Sequence, residues 1–391
     1  ELTEYGEPGG LRQSVLAAGA AYHLISTRPV TVTQFNPLEY KGAGGPPGKS
    51  WDDCMDLLND EGVVVIKIMS GKLRRYMSLQ NITDIVKVLI GAWQALWNMF
   101  IVIPDVIFSK GGYGALPAVI AAIILRIPLI IHESDAVPGK VNKFSSRFAK
   151  RIGIAFTAAE EFFPKEKTAL VGIPIRKRIL GGDPATAKEN LEISSNLQVI
   201  GFIGASQGAQ KLNDAVLAVL KELTNEFEVV HQTGAKNIDD VKGEASIILE
   251  FTHKERYHPF GFLDEQGIRD FYLASDLIIS RAGASSIYEI AAWSKPAILV
   301  PLRNAAQNHQ RKNAYEYAAK GGAIVIEEAN LTPHILLAEI KKVISNVVLL
   351  KQMREAAQKF SRIDSAELIA REILKMGMHK SLQKETGSLK P

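Results

Sequence analysis

The stretch SRAGASSIYEIA, residues 280–291, puts small residues after an apolar run and a glutamate, Glu289, four residues beyond Ser285. If a helix opens near Gly283, the unpaired N–H groups of its first turn favour an anion such as a phosphate. A spacing of four places Glu289 on the same face, one turn along. There a carboxylate either accepts two neighbouring sugar hydroxyls or is plain surface charge. GFIGASQGAQKLN (201–213) is a second small-residue turn, with Gly201, Gly204 and Gly208 spaced G-x-x-G-x-x-x-G. It is not a Walker loop, because no Gly-Lys-Ser/Thr follows, and it is not the dinucleotide fingerprint. Its Ser206-Gln207 pair reads as an anion-facing turn or as a simple strand-to-helix connection. NAAQNHQRKNA (304–314) gathers Asn308, His309, Gln310 and Asn313 into a polar, mostly uncharged rim suited to sugar hydroxyls or to helix capping.

The first half holds two further groups. SKGGYGALP (109–117) is another strand–glycine–helix turn, and IIHESDAVPGKVNK (130–143) sets His132, Glu133 and Asp135 directly after an apolar run. An imidazole beside two carboxylates is a candidate proton-transfer group. No His or Cys pair at ligand spacing and no Asp-x-Asp occurs. A metal-dependent nucleotide-sugar mechanism is therefore unsupported, and no cofactor is expected.

These residues need a frame. The second half alternates short apolar runs with helical patterns: strands at 198–204, 227–233, 258–263, 276–280, 296–301 and 322–328, helices at 207–223, 285–293 and 307–320. From Gly62 the first half repeats the scheme, with strands at 62–68, 105–109, 128–133 and 151–156 and helices at 115–126 and 138–149. Such runs between helices imply parallel sheets covered on both faces. The expected fold is α/β, two doubly wound Rossmann-like domains facing a cleft, with ligands at the carboxyl ends of strands. The expected division is 1–174, 175–360, a C-terminal helix at 361–376 and a loose tail at 377–391. Residues 1–61 are atypical: LRQSVLAAGAAYHLI suits a helix, and no clear strand followed by a glycine turn is visible.

At 391 residues the chain is long enough for two cores. A net charge of +4 gives no argument for nucleic acid, and Cys54, the single cysteine, allows no internal disulfide, which suits the cytosol. No secretory signal is recognisable at the start. Ile82 to Ile103 is long and apolar enough to suggest a membrane span, yet it carries Asp84, Lys87, Gln94 and Asn98 and ends at Pro104-Asp105. It reads as a helix of a folded domain. Ile82, Ile85, Val86, Leu89, Trp93, Leu96, Trp97 and Phe100 recur at helical spacing and are expected in the core, leaving Val88, Ile90, Ala92 and Met99 exposed.

The ordered set GGYGALP, HESD.VPGKVNK, VGIPIR, GASQGA.KLN, HQTG, SRAGASSIYEIAA..KPAILVPL and NHQRKNA resembles the MurG family from about Gly62 to about Lys375. These are lipid I N-acetylglucosaminyltransferases of bacterial cell-wall synthesis, with the GT-B architecture. The resemblance implies that the Ser206-Gln207 turn helps hold the diphosphate of UDP-N-acetylglucosamine (UDP-GlcNAc). Arg176 and the segment around Phe262-Leu263 would lie at the uracil, and Glu289 would take the ribose hydroxyls. Gly283, Ala284 and Ser285 would offer N–H groups to the phosphates. Gln310, with His309, would read the sugar. His132 to Asp135, Gly111-Gly112-Tyr113 and Asn142 would face lipid I. The implied reaction is inverting and metal-free, with attack of the muramoyl 4-hydroxyl on C1.

The sequence departs from that pattern in two places. The family expects a strand and a Gly-Gly-Thr-Gly-Gly-His loop near the N-terminus, which residues 1–61 lack; Gly9-Gly10, Gly44-Gly45 and His23 are poor substitutes. Asp135 and Ile173 each stand where the family pattern has Asn. A glycolipid transferase with another acceptor, a UDP-GlcNAc 2-epimerase and a catalytically impaired UDP-sugar-binding homologue are the alternatives. The implied setting is peripheral, on the cytoplasmic face of the bacterial inner membrane, near other cell-wall synthesis proteins. An anionic membrane surface would meet KLRRY (72–76), which precedes the helix with Trp93 and Trp97, and KVNKFSSRFAKR (140–151), with five basic and no acidic residues.

Overall fold

A computed structural model describes residues 31–33, 64–66, 68–69, 79–204, 209–303, 305 and 308–387. In the first domain β1 (Thr31–Thr33) pairs in parallel with β2 (Val64–Ile66). There follow α1 (Leu79–Val102), β3 (Ile107–Ser109), α2 (Leu116–Ile124), β4 (Leu129–Glu133), α3 (Lys140–Ser145), β5 (Arg151–Ile154) and β6 (Thr168–Leu170). Strands β3 to β6 form a parallel sheet in sequence order. β1 corrects the expectation that residues 1–61 hold no strand. Three β-branched residues, Thr-Val-Thr, favour extended backbone but make too short a run to stand out. The helix expected at LRQSVLAAGAAYHLI and the glycine turns of that segment lie outside the described residues, as does KLRRY.

The second domain runs α4 (Pro184–Asn190), β7 (Val199–Ile203), α5 (Gln210–Leu217), α6 (Leu220–Glu226), β8 (Glu228–Gln232), α7 (Ile238–Ile248), β9 (Tyr257–Phe260), α8 (Glu265–Ala274) and β10 (Leu277–Ser280). It continues through α9 (Ala284–Ala292), β11 (Ala297–Leu299), α10 (His309–Ala319), β12 (Ala323–Val325), α11 (Pro333–Ile344), α12 (Val347–Phe360) and α13 (Ser365–Gly387). Its sheet is parallel with order β12-β11-β10-β7-β8-β9. From central β7 the chain winds outward through β8 and β9, then crosses back to β10. The reversal leaves a crevice between the carboxyl ends of β7 and β10, where open α/β sheets bind ligands. Alternation along the strands fills both faces. Val199, Ile203, Ile278 and Leu299 lie in one buried cluster, and Ile200, Phe202, Ile279 and Ile298 in the other. Fully burying each such side chain stabilises by about 1.5–3 kcal/mol.

Three element readings change. The helix expected over 207–223 is two, broken around Ala218 and Val219. The helix expected over 138–149 is shorter, Lys140–Ser145, and Phe148 and Ala149 then bond back to Ser145. The last helix, α13, runs on to Gly387 rather than ending near 376, because the added residues are mostly good helix formers without proline. α13 also returns to the first domain: Ile369 and Ile373 are buried with Ile130 of β4, and Glu372 pairs with Arg151 at 2.8 Å.

α1 reverses its expected orientation. Ile85, Val86, Leu89, Trp93, Trp97 and Phe100 are exposed, Trp93 at 69 %, whereas Gly91, Ala95 and Met99 are buried. Val88 and Ala92 are half-buried. Close packing decides this. A Cβ on Gly91 would lie 1.7 Å from the Met69 carbonyl oxygen, so only glycine admits that contact. The facing surface of α2 is also small, with Ala118, Ala121 and Ala122 buried beside Ala95. Small residues allow the helices to approach, and the bulky apolar ones turn outward. Ile85–Val102 is long and apolar enough to cross a bilayer by length and composition.

Candidate active site

Two loops meet at the switch point. The β10–α9 loop contributes Gly283, Ala284 and Ser285. Gly283 is the N-cap of α9 with extended backbone (φ −64°, ψ 140°), and no side chain caps the helix. Its first internal bond runs from Ile287 N–H to the Gly283 carbonyl, so the N–H groups of the first turn lie ahead of the ladder. Ser285 is exposed. The loop is braced from below. Buried Arg281 donates to Glu328 Oε1 at 2.7 Å and to the Val300 carbonyl at 3.2 Å. The other loop follows β7; Ser206 and Gln207 lie outside the described residues.

Glu289 projects from α9 one turn beyond Ser285. Its Oε1 is 3.4 Å from Arg176 Nη2, and its Oε2 accepts the Tyr272 hydroxyl at 3.1 Å. Tyr272 stacks on Trp293 with ring centroids 6.4 Å apart. Burial, then the neighbouring carboxylate, hold the Tyr272 hydroxyl well above its ordinary pKa, so it is a fixed donor. Arg176 also lies 3.6 Å from Glu265, at the start of α8. Phe262, half-buried, sits in the loop that leads into that helix. Arg176, Glu265, Tyr272 and Glu289 therefore form one polar wall. Tyr272 and Glu265 carried no spacing signal, because three separate elements bring this wall together.

At the start of α10, Asn308 adopts the left-handed region (φ 55°), and His309 and Gln310 follow, half-buried. Gln310 Oε1 accepts the Leu302 N–H at 3.0 Å, which fixes the side chain over the β11–α10 connection.

On the first domain, His132 and Glu133 end β4. His132 is fully buried, and its Nε2 donates to the Gly172 carbonyl at 2.8 Å, which fixes the tautomer. Burial, then the Lys110 charge, depress its pKa to about 3 against the Gly172 bond, so the ring is neutral. Nδ1 faces the Ser134 hydroxyl at 3.4 Å. The expectation that His132 transfers a proton is corrected, because neither nitrogen is open to the cleft. Glu133 is likewise buried. Its carboxylate accepts the N–H groups of Asp135 (3.1 Å) and Gly139 (3.0 Å) and the Asn142 amide (2.9 Å). Burial raises its pKa and the three bonds oppose that. It organises its loop instead of meeting substrate.

Asn142 also donates to the His132 carbonyl at 3.0 Å and packs against Gly111, where a Cβ would come within 2.4 Å of the amide oxygen. Gly111 and Gly112 both have φ near +80° (81° and 79°), and Gly112 has open space above it. Asn142 is thus a buried support, and the glycines and Tyr113 form the accessible turn. Lys110, just before them, was not singled out by spacing. Burial lowers its pKa to about 8, against the pull of Asp135 and Glu133.

The domains touch beside this turn. Asn313 of α10 bonds Asp135 and Ala136, and Glu316 accepts the N–H groups of Thr157 (2.6 Å) and Ala158 (3.1 Å). The Tyr288 hydroxyl donates to the Ala155 carbonyl. Phe156 meets the Tyr288 ring edge to face, and Phe360 packs against both. Among the described residues no group of three His, Cys, Asp or Glu side chains is placed to hold a metal ion.

Two doubly wound domains, with an uncapped helix terminus at the switch point of the second and a glycine turn facing it from the first, define a GT-B glycosyltransferase. The glycosyltransferase family 28 N-terminal domain matches residues 53–154, and the family 28 C-terminal domain matches residues 199–369. A Lachnospira eligens protein named UDP-N-acetylglucosamine--N-acetylmuramyl-(pentapeptide) pyrophosphoryl-undecaprenol N-acetylglucosamine transferase is 38 % identical over 287 residues, 73 % of this chain and 78 % of its own length. A Bacillus anthracis protein of that name, numbered 2, is 36 % identical over 74 % of this chain and 80 % of its own. The crystal structure of Acinetobacter baumannii MurG superposes with a TM-score of 0.70 at 25 % identity, covering 95 % of this chain and 97 % of that one. The chain belongs to the MurG family.

Proposed function

We propose that the protein transfers N-acetylglucosamine from UDP-GlcNAc to the muramoyl 4-hydroxyl of polyprenyl-diphospho-MurNAc-pentapeptide, lipid I, to give lipid II. The observation that carries this reading is the switch-point geometry: an uncapped α9 terminus with the Glu289 carboxylate one turn along, paired with Arg176. The names of the relatives support it. Ser206, Gln207 and the N–H groups of Gly283, Ala284 and Ser285 take the diphosphate. Glu289 takes the ribose hydroxyls, Arg176 and Phe262 border the uracil, and His309 and Gln310 read the sugar. Gly111, Gly112 and Tyr113 present the accessible turn to the acceptor, with Asn142 beneath them.

The acceptor oxygen attacks C1 from the first-domain side, the bond to the diphosphate breaks, and the configuration inverts. Charge growing on the leaving diphosphate meets fixed N–H dipoles that need no reorganisation. The reaction uses no divalent metal.

The acceptor is held in a bilayer, so the enzyme works at the cytoplasmic face of the inner membrane. The outward apolar face of α1 suits the interface, with tryptophans at headgroup level. So does the 140–151 stretch, where Lys140, Lys143, Phe144, Arg147 and Phe148 are exposed. Purified protein given UDP-GlcNAc with either lipid I or diacylglycerol tests the reading. Transfer to lipid I alone supports it, and transfer to diacylglycerol alone replaces it with a glycolipid transferase.

A further inference from the structure

The loop 133–136 leaves β4 and straddles the domain boundary. On its own side Glu133 gathers it, as described. From the other side Asn313 reaches it with both amide atoms, from 177 positions further along the chain. Asn313 Oδ1 accepts the Ala136 N–H at 2.8 Å, and Asn313 Nδ2 donates to Asp135 Oδ1 at 2.8 Å. The same Nδ2 lies 3.5 Å from the Ala282 carbonyl, in the loop that opens α9. Asn313 is fully buried, and so is Ala136, which packs into a core cluster of the second domain. Asn313 sits one turn into α10, beyond His309 and Gln310.

One planar group must donate on one edge and accept on the other to make these bonds, and a primary amide does so. A carboxylate at 313 would still accept from Ala136 but would face the Asp135 carboxylate with like charge. We infer that Asn313 and Asp135 form a latch across the cleft that sets the acceptor-side loop in register with the donor-side helix α10. Asp135 is then a positioning residue, not the group that takes the acceptor proton. In its kinetic arm this rests on the transferase reading above; in its stability arm it does not.

The test uses four full-length proteins: wild type, Asn313→Asp, Asp135→Asn and the double variant. Transfer from UDP-GlcNAc to lipid I, UDP-GlcNAc affinity and the urea unfolding midpoint are measured for each. Asn313→Asp is expected to lower kcat at least tenfold while donor affinity moves less than threefold. Asp135→Asn alone costs less than Asn313→Asp, because the side-chain oxygen it keeps still accepts from Asn313. The double variant restores the pairing with roles exchanged, since the amide introduced at position 135 then donates to the carboxylate introduced at position 313. Its kcat and midpoint should both return most of the way to wild type, a non-additivity expected only of partners in contact. If Asn313→Asp does not fold, recovery of a folded protein in the double variant is the expected result. Rescue of the midpoint in a protein that binds UDP-GlcNAc but transfers nothing would overturn the reaction reading and uphold the latch. Additive losses in the midpoint, or a double variant no better than Asn313→Asp, would overturn the latch. A larger loss of transfer in Asp135→Asn than in Asn313→Asp would also overturn it, by making the Asp135 charge itself the functional feature.

Discussion

Arg176 and Glu289 face each other at 3.4 Å although 113 positions separate them, and the same carboxylate takes the Tyr272 hydroxyl at 3.1 Å. The glutamate is thus oriented by two partners from two other elements, α8 and the segment after β6. An oriented carboxylate loses less freedom when it accepts a sugar hydroxyl.

Glu289→Ala is expected to weaken UDP-GlcNAc binding by roughly 1–3 kcal/mol, the range for hydrogen bonds to a charged group. Tyr272→Phe, which removes only an orienting bond, should cost about 0.5–1.5 kcal/mol. Calorimetric titration of both folded variants checks this. Unchanged affinity for Glu289→Ala would remove the residue from the donor site.

Stability should fall in mild acid. Burial depresses His132 to about 3, with the Lys110 charge adding to it, and burial alone depresses His231 to about 3. Both are ordinarily near 6.5, so below that value the unfolded chain takes up protons that the folded chain refuses. The stabilisation is full above about pH 6.5 and is lost as pH falls towards about 3. At about pH 5 each histidine costs about 2 kcal/mol relative to neutral pH. Urea unfolding at about pH 7 and about pH 5 measures the loss. His231→Gln should make it shallower, and an equal loss in that variant would assign the pH dependence elsewhere.

Vesicle binding should depend on the outward face of α1. Changing Leu89, Trp93 and Trp97 to Ser is expected to release most of the protein from anionic vesicles while leaving UDP-GlcNAc affinity intact, because these side chains lie on the other domain from the donor wall. Lys140→Glu with Lys143→Glu should remove a smaller, salt-sensitive share, about 1 kcal/mol for each basic residue. Co-sedimentation unaffected by the triple change would show that α1 is not the membrane contact.

Transfer should persist in a chelator. The donor wall offers Arg176 and helix N–H groups to the diphosphate, and among the described residues no acidic cluster stands beside them to carry Mg²⁺. Activity lost in EDTA and restored only by Mg²⁺ or Mn²⁺ would refute this.

The alternation of apolar runs and helical patterns made the parallel sheets legible, and with them the switch point between β7 and β10. Glu289 was legible because its helix opens with small residues. The orientation of α1 was not, because a stripe of large apolar residues normally faces the core. Here Gly91 and the alanines of α2 compete for that side by close approach. His132 looked reactive from its neighbours in sequence, yet the carbonyl that takes its proton belongs to Gly172, 40 positions away. Asn313 could be placed on a polar rim, but its partner across the cleft could not be read from spacing. The return of α13 to the first sheet was hidden in the same way, since its contacts are made with β4 and β5.

The most direct test of the central claim is the product of a single incubation with UDP-GlcNAc and lipid I in detergent or vesicles. The predicted result is one UDP released per acceptor consumed, and a lipid-linked disaccharide whose new bond is β1–4 by its anomeric proton coupling. Release of UDP without disaccharide, a product with retained α configuration, or formation of UDP-N-acetylmannosamine in place of transfer would contradict the account.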